Sequence, residues 1–244
     1  MNAWPQGYAR HVFDVVGSTL SEAARMAPDL TGPAWILALE QTAARGRRGR
    51  AWATPRGNFA GTLIMRRAEP PGVAALRSFV TSLALYRTFG VVTGQPQDFA
   101  LKWPNDVLLK GGKVAGILLE SIGDHLVIGI GVNLAFAPRA DEVEARALQP
   151  MSIARDMGIN VEPEVFLNVL AAEYAVLEDQ FTTHGFAPIR RAWLAHAAKL
   201  GEVITARTMR DETTGTFEDV DENGNLILQT AQGRVAITAA DVFF

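Results

Sequence analysis

Four arginines, Arg45, Arg47, Arg48 and Arg50, and two glycines, Gly46 and Gly49, fall within six consecutive residues of the stretch QTAARGRRGRAW (41–52). Guanidinium groups fork onto phosphate or carboxylate oxygens, and glycine lets backbone approach a ligand closely. Such a loop suits an anion, but a solvated basic loop or an arginine patch for nucleic acid has the same composition. A second polar group, Asn105 and Asp106, sits between apolar flanks in LKWPNDVLL (101–109). Pro104 cannot donate to a strand ladder, so the chain must bend there or lie at an edge. Lys110-Gly111-Gly112-Lys113 follows as a tight hairpin that carries a lysine onto the next strand. Gly116, Gly129 and Gly131 interrupt two apolar runs, 114–120 and 126–133. Glycine inside a strand marks close approach of a ligand or of another backbone, and both readings stay open here. Ser18 and Thr19 stand before a helical run with Glu22 three residues beyond Thr19, so a capping box competes with ligand contact.

Some chemistries are excluded. Lys113 is followed by Val114, so the phosphate-loop frame fails, and no third glycine after Gly129 and Gly131 opens a helix. The chain has no cysteine, which removes disulfides, thiolate metal sites and cysteine nucleophiles. The four histidines, His11, His125, His184 and His196, show no metal-ligand spacing and read as structural. A net charge of −3 over 244 residues argues for a local anion site rather than a broad nucleic-acid face.

These residues need a scaffold. Apolar runs predict strands at 11–16, 35–39, 62–65, 114–120 and 126–133, and 3.6-residue periodicity predicts helices at 73–89, 164–181 and 187–200. Residues 138–150 read as a charged loop with a helical turn, and 152–157 as a short helix closed by Gly158. After Gly201 the chain turns to short strands separated by tight turns, a small barrel too short to hold a large core alone. The expected organisation is a main domain over 1–200 and a small domain over 201–244, of class α/β (α+β). With 48% hydrophobic and 20% charged residues, a packed core is expected. The N-terminal residues lack the pattern of a signal peptide, and no apolar run reaches the roughly 18 residues of a membrane span. A soluble, cytoplasmic protein is the expectation.

Taken in order, these stretches resemble the biotin–protein ligases of the biotin/lipoate protein ligase superfamily. Ala44 to Trp52 matches the family's G-R-G-R-R-G-R-x-W signature, and Lys102-Trp103-Pro104-Asn105-Asp106 its K-W-P-N-D motif. Lys113 to Glu120 matches K-x-A-G-I-L-x-E, Gly129 to Asn133 matches G-x-G-x-N, and Gly17-Ser18-Thr19 stands at D-S-T. The match covers roughly residues 11 to 135. The resemblance implies a mixed β-sheet packed with helices, followed by a small C-terminal SH3-like β-barrel. It implies an ATP-dependent ligase that makes biotinyl-5′-AMP and passes biotin to a lysine of an acceptor carrier domain, acting as monomer or homodimer without nucleic acid or membrane. In that reading Lys113 and Arg47 are catalytic. Ser18, Thr19, Gln41, Ala44, Arg45, Gly116 and Gly129 bind the acid. Arg47, Arg48, Arg50, Trp52, Asn105, Asp106, Lys113 and Asn133 bind ATP, with Asp106 holding Mg²⁺. The family's longer members carry an N-terminal DNA-binding domain; here the first strand starts near His11, so regulation through DNA is not expected.

The departures cluster at the acid end. Ala44 replaces a glycine, Gly17 an aspartate and Leu20 a polar residue, and Ala60 and Gly61 stand where the family has bulky residues. Adenylation is therefore the firmer expectation. Lipoate, octanoate or another carboxylic acid is the alternative substrate, and a non-catalytic ligand-binding homologue the second alternative.

Overall fold

The computed structural model of the protein describes residues 3–46, 49, 52, 54–144, 146–208 and 211–244. Arg47, Arg48 and Arg50 therefore lie outside the described residues.

The apolar run at Trp35 becomes strand β2 (Ala34–Gln41), fully buried from Ala34 to Ala38. It pairs in parallel with β1 (Ala9–Val16) and antiparallel with β3 (Phe59–Arg66). The remaining strands are β4 (Phe99–Lys102), β5 (Asp106–Leu109), β6 (Gly112–Ile122) and β7 (His125–Val132). They complete a seven-stranded sheet of order β1-β2-β3-β7-β6-β5-β4. One parallel pair among antiparallel neighbours makes this the mixed sheet that was expected.

Side chains alternate across the sheet, so each strand feeds two layers. Trp35, Leu37, Leu63 and Ile128 face helices α3 (Arg77–Thr93) and α5 (Pro163–His184), with α6 (Phe186–Leu194) joining the same core. Ile36, Ile64 and Val127 face the other way, onto Leu20, Ala23 and Ala27 of α1 (Thr19–Met26) and its end. This second layer covers only part of the sheet. The site lies on that face, at the N-terminal start of α1.

Pro71 starts a short helix α2 (Pro71–Ala75), so the single helix expected at 73–89 is divided at Leu76. The helix expected at 187–200 stops at Leu194. Leu101 of the edge strand β4 captures residues 196–198 beyond it, donating to the His196 carbonyl at 2.8 Å and accepting from the Ala198 amide at 2.7 Å. The loop 138–150 contains one 3₁₀ turn, Ala140–Glu142, and leads to α4 (Ile153–Met157), capped by the Ser152 hydroxyl and closed by left-handed Gly158. Among the described residues no helix is long and apolar enough to cross a membrane.

Residues beyond Gly201 form a five-stranded antiparallel sheet of order β11-β10-β9-β8-β12. Its strands are β8 (Val203–Arg207), β9 (Glu212–Val220), β10 (Leu226–Thr230), β11 (Gly233–Ile237) and β12 (Asp241–Phe243). Ile204, Phe217, Leu226 and Leu228 continue the main core rather than forming their own. The turn at Gly224, with φ +80°, reaches under Leu76 and Phe79 so closely that a Cβ there would lie 2.9 Å from each side chain. The Trp103 indole donates to the Gly224 carbonyl at 3.0 Å. The small sheet is thereby fixed beside the 102–106 motif.

Candidate active site

A cavity of about 1020 Å³ opens on the α1 face between the two sheets. Its lining brings together Ser18, Thr19, Gln41, Ala44, Arg45, Trp52, Asn105, Asp106, Lys113, Gly116, Gly129 and Asn133. All the described residues assigned to the site from the sequence thus converge on one space, although they span more than a hundred positions.

At one end the side chains form a polar cradle. Ser18, not Thr19, is the N-cap of α1, and it makes no side-chain capping bond. The Thr19 hydroxyl instead donates to Gln41 Oε1 at 3.0 Å, and the Thr19 amide donates to the same oxygen at 2.7 Å. Gln41 Nε2 donates to the Thr54 hydroxyl at 3.2 Å, and the Thr62 hydroxyl donates to Thr19 at 2.8 Å. Of the two readings open for Thr19, the capping box is the one that fails: tertiary partners outcompete the local ones. With its oxygen anchored, the Gln41 amide has one of its two protons left to offer a ligand.

The other end is charged. Lys113 is the second residue of β6, and its Nζ lies 2.6 Å from Asp106 Oδ1 and 5.5 Å from the centre of a Trp52 ring. Lys102 Nζ is 3.9 Å from Asp106 Oδ2 and 5.6 Å from the Phe244 ring. Asp106 therefore sits between two ammonium groups. Its Oδ1 is buried and receives no aligned hydrogen bond. Asn105 donates from Nδ2 to the Ile117 carbonyl at 2.6 Å, and Asn133 to the Met151 carbonyl at 3.0 Å. Both amides hold neighbouring chain in place from the cavity wall.

The glycines make the floor. Gly116 pairs with Gly131 across β6 and β7, and Gly129 follows on the same face. The Trp52 indole lies on Gly131, where a Cβ would come within 2.3 Å of its Nε1. Another side chain, rather than backbone, explains the missing Cβ. Gly61 has a different cause: a Cβ there would meet the Phe59 ring at 2.4 Å, in the core on the opposite face of the sheet. That departure belongs to core packing and not to the acid pocket.

Arg45 is expected among the acid-binding residues. Its guanidinium instead forks onto Glu120, with Nη2 2.9 Å from Oε2 and Nε 3.4 Å from Oε1. Sequence reasoning missed several contributors. Thr54, Thr62, Glu120 and Lys102 join the network although only Lys102 and Glu120 stood in a recognisable motif. The roof comes from the 138–150 loop and β12. Phe243 is flanked by the guanidinium carbons of Arg146 and Arg207 at 4.8 and 4.9 Å, and Arg146 pairs with Glu212 at 3.0 Å. No local pattern marks Arg146, whose partners Glu212 and Phe243 lie far along the chain.

Residues 12–133 match the model of the biotin/lipoate A/B protein ligase family, and residues 199–244 that of the biotin protein ligase C-terminal domain. This chain belongs to the biotin/lipoate A/B protein ligase family. Within it, a biotin–[acetyl-CoA-carboxylase] ligase of Paracoccus denitrificans is 54% identical, over 93% of this chain and 97% of that one. The bifunctional ligase/repressor of Bacillus subtilis is 29% identical, over 94% of this chain and 72% of its own. The fold is that of the biotin protein ligase of Aquifex aeolicus in complex with biotin and ATP. That structure has a TM-score of 0.85 at 23% identity, over 96% of this chain and 98% of that one.

Proposed function

We propose that the protein is an ATP-dependent biotin–protein ligase whose acceptor is the biotin-carrying part of acetyl-CoA carboxylase. The observation that carries this reading is one cavity with a neutral hydrogen-bonding cradle at one end and the Lys113–Asp106–Lys102 charges at the other. The 54% identity to the Paracoccus ligase supports biotin as the acid.

Thr19, Gln41 and Ser18 hold the ureido ring, and the acid chain runs over the glycine floor toward Lys113. A biotin carboxylate oxygen attacks the α-phosphorus of ATP, forming the acyl–phosphate bond while the bond to the β-phosphate oxygen breaks and pyrophosphate leaves. Lys113 meets the negative charge that both anions bring to this step, in a site where preorganised charge is worth more than in water. The acceptor lysine amine then attacks the acyl carbon, AMP leaves with the bonding pair, and the amine loses a proton to solvent. Trp52 shields the adenylate from water, and Arg47, Arg48 and Arg50 add phosphate contacts from the loop.

Among the described residues no group of three or more His, Asp or Glu side chains is placed to hold a metal. The Asp106 carboxylate, whose Oδ1 already meets the Lys113 ammonium at 2.6 Å, would hold through its second oxygen a single-carboxylate Mg²⁺ carried in on the phosphates, as magnesium usually is. Such an ion would neutralise phosphate charge. The division of labour follows the chain: residues 1–200 carry the ligase chemistry and 201–244 cover it. The cytoplasm, where ATP and acceptor are both present, is the proposed location.

Pyrophosphate release measured with ATP and biotin, lipoate or octanoate tests the acid. Biotin-dependent release at micromolar biotin is expected; release with lipoate or octanoate alone would overturn the reading.

A further inference from the structure

Leu20 stands where the family pattern has a polar residue, and the cavity shows what it does there. It is the second residue of α1, 5% exposed, and it lines the cavity directly after Thr19. Its side chain lies flat on β7 at Gly129. A Cβ on Gly129 would come within 3.0, 3.1 and 3.2 Å of Leu20 Cδ2, Cγ and Cδ1. Gly129 in turn is registered opposite Thr62, whose hydroxyl donates to Thr19. An apolar wall and the polar cradle thus sit side by side at one level of the sheet.

We propose that Leu20 is a specificity-determining residue of the acid end of the pocket, and that Gly129 is glycine so that Leu20 can seat on the strand. Leu20 fixes the width beside the Thr19–Gln41 cradle. An acid whose polar ring fills that width keeps contact on both sides, while a slimmer chain leaves a gap and a bulkier head collides. The two positions form a size pair: adding a methyl at Gly129 pushes Leu20 into the cavity, and shortening Leu20 makes room for that methyl. The proposal deepens the acid-activating reading of this site and rests on it.

The test is steady-state pyrophosphate release from the full chain with biotin, desthiobiotin, lipoate and octanoate. It compares wild type with Leu20→Ala, Leu20→Val, Gly129→Ala and the double variant Leu20→Ala/Gly129→Ala. One misfitted methylene shifts discrimination by about 10- to 200-fold, so each of Leu20→Ala and Gly129→Ala should raise KM for biotin at least about tenfold. The KM for ATP should stay near its wild-type value, which a general loss of structure would not allow. Leu20→Ala should also narrow the preference for biotin over lipoate, and the double variant should recover biotin KM to within about threefold of wild type. Leu20→Val keeps a branched side chain in the core and should shift biotin KM in the same direction by less. Wild type active with biotin while every variant keeps its order of acids, or a double variant worse than either single, would overturn the inference. Wild type inactive with every acid would instead overturn the reading beneath it.

Discussion

Replacing Lys113 with alanine separates the site's chemistry from its architecture. The ammonium lies 2.6 Å from Asp106 Oδ1, and the side chain is 32% exposed. Its loss does not strand Asp106, because Lys102 remains 3.9 Å from the other carboxylate oxygen. Nor does it touch the backbone bonds that tie residue 113 to the end of the 138–150 loop, from its amide to the Gln149 carbonyl and from the Met151 amide to its own carbonyl, both 2.8 Å. A partly exposed ion pair contributes about 0–1 kcal/mol, which for a chain this size lowers Tm by no more than about 4 °C. Removing one preorganised group that stabilises developing charge typically costs about 10²–10³ in rate, or about 2.7–4 kcal/mol. Biotin-dependent ATP–pyrophosphate exchange, run beside thermal unfolding, reads both quantities. Exchange falling at least about a hundredfold with Tm nearly unchanged is expected. Lys113→Arg should not restore it, because the planar fork cannot replace a compact charge on β6. Exchange within about threefold of wild type would refute the assignment, and so would a Tm drop above about 10 °C, which would make Lys113 structural.

Further tests address the floor, the core and pH. Gly131→Ala should displace Trp52, since the new Cβ would lie 2.3 Å from its Nε1, and should show as an altered Trp fluorescence and a raised KM for ATP. Glu178→Ala leaves Arg77 buried with Glu69 alone. Glu178 accepts from Arg77 Nε and Nη2 at 3.0 and 2.7 Å and from the Tyr174 hydroxyl at 3.1 Å. Breaking such a buried pair costs about 3–5 kcal/mol, a Tm loss of roughly 6–20 °C by calorimetry. Burial, reinforced by the Glu178 charge, pushes the Tyr8 hydroxyl up from 10.0 to about 12, and the same causes raise Tyr174. The folded state holds these protons more tightly than the unfolded chain. The contribution of Tyr8 is therefore complete below pH 10 and is lost as pH rises from 10 through 12, and that of Tyr174 is likewise complete below pH 10. The urea midpoint should fall over that interval, and Tyr8→Phe should flatten the fall.

Much of this was legible in the sequence because the relevant signals are local. The run at Trp35, the Pro104 break and the Lys110–Lys113 hairpin each state their own geometry. Both Lys110, at φ 47°, and Gly111, at φ 84°, adopt the left-handed turn that joins β5 to β6. Glycines at 116, 129 and 131 announced close approach, but not by what: the side chains of Lys113, Leu20 and Trp52 respectively lie where a Cβ would point. Helix ends were hidden wherever a distant partner decided them, as when Leu101 captured residues 196–198. For Thr19 the sequence leaves capping and ligand contact open, because Gln41 and Thr62 are not visible in it as neighbours. Gly61 misled for the same reason, since the sequence does not say which face of β3 carries Phe59. The roof from Arg146, Arg207 and Phe243 depends on tertiary docking alone.

Activation of biotin with ATP in this cavity, and its transfer to a lysine, is the central claim. The most direct measurement is mass spectrometry of the apo carrier domain of an acetyl-CoA carboxylase after incubation with the protein, ATP and biotin. A single biotin adduct on one lysine is predicted, formed only when ATP and biotin are both present and absent with Lys113→Ala. An unmodified acceptor alongside a folded enzyme, or an adduct formed without ATP, would contradict it.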